Sequence, residues 1–115
     1  MASIVAYKVL TAEQFAALEA DRFEGAPIDR ADGYIHLSTS SQVTETVARH
    51  FAGQTGLMIA AIDLRRLGDA VRWEPSRNGE LFPHLYARLA WAAVVAHGPV
   101  EWAPDGTVCL PEAAR

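Results

Sequence analysis

Apolar and polar positions change period several times along this chain, and each change marks an element. Residues 3–10, SIVAYKVL, read as a first strand. Thr11-Ala-Glu-Gln14 is a capping box, and Phe15 and Leu18 follow at helical spacing, which predicts a helix over residues 12–21. Arg22 to Gly33 holds two glycines, a proline and five charged residues, and reads as a surface loop. In Gly33-Tyr34-Ile35-His36-Leu37-Ser38 the alternation puts Ile35 and Leu37 on one face and Tyr34, His36 and Ser38 on the other. Thr39, Ser40 and Ser41 then stand as N-cap residues for a helix predicted over 42–52, where Val43, Val47 and Phe51 recur at i, i+4, i+8.

The second half of the chain reads differently. Leu57 to Ile62 is a continuous apolar run bounded by turn signals, the pattern of a central strand buried on both faces. Asp63 to Gly68 reads as a helical turn, Val71 to Glu74 as a short strand, and Pro75 to Gly79 as a turn. Leu81 to Tyr86 is another short strand, its Pro83 pointing to an edge or an irregular start. Leu89 to Ala96 reads as a strand, with a helix left open, and 100–102 and 106–110 as short extended pieces. Helices fall early and strands late. That order favours an α+β class, in one domain over residues 1–115, above a regular alternation of strand and helix.

Composition narrows the function classes. A chain of 115 residues with net charge −4 has scattered basic residues and no electrostatic footprint for DNA or other nucleic acid. A small anionic ligand stays open, because it needs only a few local cations. Cys109 has no internal partner for a disulfide and reads as a small apolar packing residue. No cleavable leader is apparent, and the longest nearly uncharged stretch, Leu89 to Pro99, is too short to span a bilayer. The expectation is a cytoplasmic protein with no membrane contact.

Two regions carry candidate chemistry. The first is the strand end at His36, where a phenol, an imidazole and a hydroxyl share a face and a helix start follows, a combination suited to a sugar phosphate. A half-buried histidine with a purely structural role reads equally from this pattern. The second is residues 71–89, VRWEPSRNGELFPHLYARL. There Val71 and Trp73 share one face and Arg72 and Glu74 the other, while Phe82, His84 and Tyr86 form one row. Trp73 is read as a core or pocket-wall aromatic that could stack on a ligand ring, and His84 with Tyr86 as a hydrogen-bonding wall. Glycine-rich dinucleotide and phosphate loops are absent, and Ser38 is not flanked by glycines as a hydrolase elbow requires. His36, His84 and Glu74 would make a two-histidine, one-carboxylate set, but nothing in their spacing demands a metal, and none is assigned.

The segments RFEGAPIDRADGYIHLSTSSQ and VRWEPSRNGELFPHLYARL together resemble the small bacterial family called domain of unknown function 952. The resemblance runs from the first strand to about residue 100, on the motifs DGYIHLS and WE…FPHLY. It implies a fold similar to ADP-ribosyltransferases and RNA 2′-phosphotransferases: a compact split β-sandwich, with two helices in the N-terminal half and a cleft for NAD or ADP-ribose-like groups. By that resemblance His36 and Ser38, or Thr39, would hold a ribose, and Tyr86 would stack on the nicotinamide. Glu74 is then the nearest candidate for the acid that steadies the breaking glycosidic bond, because no Glu-x-Glu or Gln-x-Glu occurs on a late strand. Arg72, Arg77 and Arg88 are the basic residues on which a phosphotransferase reading would draw. Some members of the family carry a glutathione S-transferase-like label, for which no thioredoxin-type pattern is present.

Three readings follow from the sequence. One is an enzyme that transfers or processes the ADP-ribosyl group, with His36 and Glu74 catalytic and Tyr34, Ser38, Thr39, Arg72, Trp73, Arg77, His84 and Tyr86 binding substrate. NAD is its candidate substrate, and no cofactor is firmly implied. The second is a non-catalytic module for a nucleotide or small anion. The third is an interaction protein whose polar strand faces meet another subunit; the oligomeric state is not legible in the sequence.

Overall fold

Two antiparallel three-stranded sheets enclose the main core, and the computed structural model describes residues 4–111 of the chain. Strand β1 (Val5–Leu10) pairs with β3 (Met58–Asp63), and β3 pairs with β6 (Val94–Pro99), giving the first sheet the order β1-β3-β6. The second sheet has the order β2-β5-β4, from β2 (Ile35–His36), β4 (Val71–Pro75) and β5 (Leu81–Leu85). Residue 3 of the expected first strand lies outside the described residues.

Among the described residues there are three α-helices, all in the N-terminal half: α1 (Ala12–Glu19), α2 (Pro27–Asp32) and α3 (Val43–His50). The capping box at α1 forms as its residue types require. Thr11 Oγ1 accepts from the Gln14 amide at 3.2 Å, and Gln14 Oε1 accepts from the Thr11 amide at 3.0 Å. Helix α2 corrects the expectation of a loop over 22–33. Pro27 occupies its first turn, the Asp29 carboxylate accepts from the Ala26 amide at 2.8 Å, and Gly33 ends it at φ 86°. Only glycine takes that left-handed position without strain.

The start of α3 is a second correction. Thr39 to Ser41 form a turn instead of a side-chain cap: Gln42 and Val43 donate their amides to the Thr39 carbonyl, and Gln42 Oε1 accepts from the Thr39 amide at 3.0 Å. Gln42 also reaches across to the Leu81 carbonyl at 2.9 Å and ties α3 to β5. In the C-terminal part, residues 91–93 make a helical turn and the strand begins only at Val94. Trp102 and Val108 form one isolated bridge, with Val108 buried and Cys109 exposed. The packing role expected of Cys109 therefore belongs to its neighbour.

Phe15, Leu18, Ile35, Leu37, Ala60, Ile62 and Leu85 fill the core between the sheets. A smaller cluster of Val9, Ile59, Val43 and Val47 packs α3 on the outer side of the first sheet. One stretch of chain joins the two sheets. Ile35 and His36 pair with Leu85 and His84, the Leu37 amide donates to Pro83, and Ser38 exchanges two hydrogen bonds with Tyr7 of β1 at 2.7 and 2.9 Å. The face of the second sheet turned away from the core carries His36, Arg72, Glu74 and His84 of the sequence-predicted site.

Candidate functional site

Alternation sorts that sheet cleanly. Ile35, Leu37, Leu85, Val71 and Trp73 belong to or pack against the core, while Tyr34, His36, Arg72, Glu74, Phe82, His84 and Tyr86 share the other face. His36 and His84 stand directly opposite each other across the β2–β5 pair, with ring centroids 5.6 Å apart. Tyr34 stacks on His84 at 4.0 Å and lies 4.6 Å from His36. The structure thus brings His36, Glu74, His84, Tyr34 and Tyr86 into one cluster. It places Trp73 apart from them, against the core.

His36 sits at the end of a buried polar chain. Its Nδ1 faces Asp29 Oδ1 at 2.6 Å, its Nε2 faces Asp32 Oδ2 at 2.9 Å, and its amide donates to Asp29 Oδ1 at 3.0 Å. Lys8 completes the chain, with Nζ donating to Asp29 and, at 2.9 Å, to the His36 carbonyl. The Asp29 side chain is 1 % exposed. Burial works to raise its carboxyl, but the His36 hydrogen bond, the Lys8 charge and two backbone amides overcome it and push it down to about 2. Burial pushes the Lys8 ammonium down, against the pull of Asp29.

His84 is held differently. Its Nδ1 faces Glu74 Oε1 at 2.8 Å, and the Tyr86 hydroxyl donates to the same oxygen at 2.7 Å. The Tyr86 and His84 hydrogen bonds hold the Glu74 carboxyl below the usual carboxylate range, and Glu74 in turn raises the Tyr86 phenol. Arg72 lies over the Tyr86 ring at 4.9 Å.

A cavity of about 580 Å³ opens beside this face, between α3, β1 and the start of α2. Lys8, His36, Arg49, His50, Arg77 and His84 line it, with Ser38, Thr46 and Ser76, and no aspartate or glutamate is among its described lining residues. Glu45 stands behind two of the cations, 3.0 Å from Arg49 and 3.5 Å from Arg77, and so orients both guanidinium groups. Arg77 also lies over the Phe82 ring at 5.0 Å. Burial lowers His50, and the charges of Arg77, His36, Arg49 and Lys8 lower it further. Tyr34 and Tyr86 line a separate hollow of about 410 Å³ together with Arg88. Thr39 and Arg72 do not line the main cavity, and Glu74 reaches it only through His84.

Comparison with known proteins agrees with the motif reading at the level of family. The family model described as "Protein of unknown function (DUF952)" matches residues 9–97. The chain belongs to the DUF952 family. The crystal structure of protein CC0527 from Caulobacter crescentus is similar to this DUF952 chain at 40 % identity, covering 91 % of this chain and 93 % of that one with a TM-score of 0.82. Its solution NMR structure matches at 40 % identity over 91 % of each chain, with a TM-score of 0.76. No match is found among curated proteins.

Several residues of this DUF952 site escaped the sequence pattern. Asp29 and Asp32 fell in the supposed loop, and Arg49 and His50 fell inside the helix predicted over 42–52 with no site role assigned to them. Lys8 carried a usable signal, because strand alternation puts it in one row with the apolar Ala6 and Leu10. A lysine in a buried row demands a buried partner.

Proposed function

We propose that this chain binds a small phosphorylated, nucleotide-like molecule in the cavity between α3 and the polar face of the second sheet. The observation that carries this reading is the cavity wall: three cationic side chains and three histidines, without a carboxylate among its described lining residues, in a chain of net charge −4. Arg49 and Arg77 share the single carboxylate Glu45, which leaves a local excess of positive charge against the sign of the whole molecule and favours an anion. The volume falls in the range of small-molecule sites.

Processing of an ADP-ribosyl group is the catalytic form of the same reading. It draws on the ADP-ribosyltransferase-like fold that the motif resemblance implies and on the place of His36 and Ser38 on the cavity wall. Glu74 is ionised at neutral pH but spends one oxygen on both His84 and Tyr86. In this form the carboxylate must act from behind His84, so binding without turnover is the simpler function of the geometry.

Thermal-shift and calorimetric titration with ADP-ribose, NAD and inorganic phosphate test both forms. Binding is expected for the nucleotide compounds and is expected to weaken at least tenfold in Arg77→Met. Saturation-level ligand with no heat, no shift and no dependence on Arg77 would sink the proposal. Nicotinamide release from NAD, abolished by Glu74→Gln at unchanged affinity, would establish the catalytic form.

A further inference from the structure

Among the described residues, one buried side-chain nitrogen has no hydrogen-bond partner: Nε2 of His84. The His84 side chain is 3 % exposed, and it forms part of the cavity wall. With Nδ1 facing the Glu74 carboxylate at 2.8 Å, the neutral ring keeps its proton on that side and leaves a lone pair on Nε2. A buried acceptor left bare is unfavourable, and a ligand that donates to it removes the penalty.

The cations stand a short step away. Phe82 and His84 are alternate residues on β5, so their side chains rise from the strand about 6–7 Å apart. The Arg77 guanidinium lies over the Phe82 ring, and Arg49 joins it through their shared Glu45. The cavity therefore offers an acceptor and, one strand position along, a pair of guanidinium groups. A bare phosphate fills only the second place, and a simple alcohol only the first.

We propose that the cavity takes a hydroxyl-bearing phosphate ester of sugar-phosphate size, with a ligand hydroxyl donating to Nε2 of His84 and the phosphate held by Arg77 and Arg49. This rests on the anion-binding reading above and adds to it a second recognition element with a fixed place. Tyr86 and Glu74 act as positioning groups: they fix the ring through Nδ1, so that Nε2 is the nitrogen of this wall residue left to accept. A site built to pair with a hydroxyl rejects an otherwise similar ligand that lacks one, because its acceptor is then left bare.

Titrating the protein with ribose 5-phosphate, adenosine 5′-monophosphate and pentyl phosphate separates these elements. The hydroxylated esters are expected to bind at least tenfold more tightly than pentyl phosphate, and His84→Phe is expected to close that gap. In the wild type, the ¹⁵N resonance of His84 Nε2 is expected to move with ribose 5-phosphate and to stay in place with pentyl phosphate. Should His84→Phe fail to fold, the wild-type titration alone decides. Equal affinities for the three esters, or an Nε2 signal indifferent to the hydroxyls, overturn the proposal while leaving anion binding intact. Absence of binding by all three, with no effect of Arg77→Met, overturns the anion-binding reading as well.

Discussion

His36 and His84 face each other across one strand pair, and each leans on a carboxylate, yet their surroundings give them different work. His36 has a carboxylate at both ring nitrogens, and its main chain is tied to Asp29 and Lys8. Its hydrogen-bonding capacity is spent inside the protein. His84, a residue of the cavity wall, has one nitrogen on Glu74 and the other buried without a partner. The saturated dyad organises the fold, and the open one is available to a ligand. A histidine's proximity to a carboxylate thus says little about function until both nitrogens are accounted for.

The sharpest way to break this contrast is at Asp29. Asp29→Asn leaves the Lys8 ammonium buried without its countercharge, and removal of one partner from a buried pair costs about 3–5 kcal/mol. Urea unfolding monitored by tryptophan fluorescence should show that loss; a change below about 1 kcal/mol would mean that Lys8 is hydrated in solution. The two histidines should then separate in a paired substitution. His36→Leu removes a charge-assisted hydrogen bond from the buried Asp29 carboxylate, which keeps Lys8 and two backbone amides, and should cost about 2 kcal/mol, whereas His84→Leu, in the absence of ligand, should stay within about 1 kcal/mol because Glu74 is half-buried and still holds Tyr86, and the unpartnered Nε2 is removed with the ring. Equal losses would erase the distinction between the two dyads.

Acid unfolding reads the saturated dyad through its buried carboxylate, Asp29. The Asp29 carboxyl is depressed from 3.8 to about 2, so its ionised form stabilises the fold at pH values above the unfolded value. That contribution, about 2 kcal/mol, is lost as pH falls from roughly 4 toward 2. The pH dependence of the urea midpoint should flatten over this window in Asp29→Asn. An unchanged slope would place the acid transition on other carboxylates.

How much of this was legible in the sequence depended on whether a pattern was local. The alternation around His36 and in the 71–86 pair put the right side chains on one face, because strand geometry leaves no other choice. The Thr11–Gln14 box marked α1 for the same reason. Helix α2 was hidden by its own punctuation: Pro27 and Gly33 suggested a loop, although a proline in the first turn and a glycine just past the last residue are also how short helices begin and end. With α2 went Asp29, the residue that organises the site. The cavity lay beyond local reach altogether. Arg49 and His50 become part of it only when α3 packs beside the second sheet, a placement set by long-range contacts such as Gln42 to Leu81.

The stretch from Ile35 to Ser38, bonded to β5 at one end and to β1 at the other, has a consequence for how the molecule comes apart. Neither sheet can peel away without tearing this shared seam, which is also the floor beneath the two histidines. The halves of the domain are therefore expected to open as one cooperative unit, with the amides of Tyr7, Leu37 and Ser38 exchanging with solvent only when the whole chain unfolds. A cavity wall built over such a seam is as durable as the fold itself.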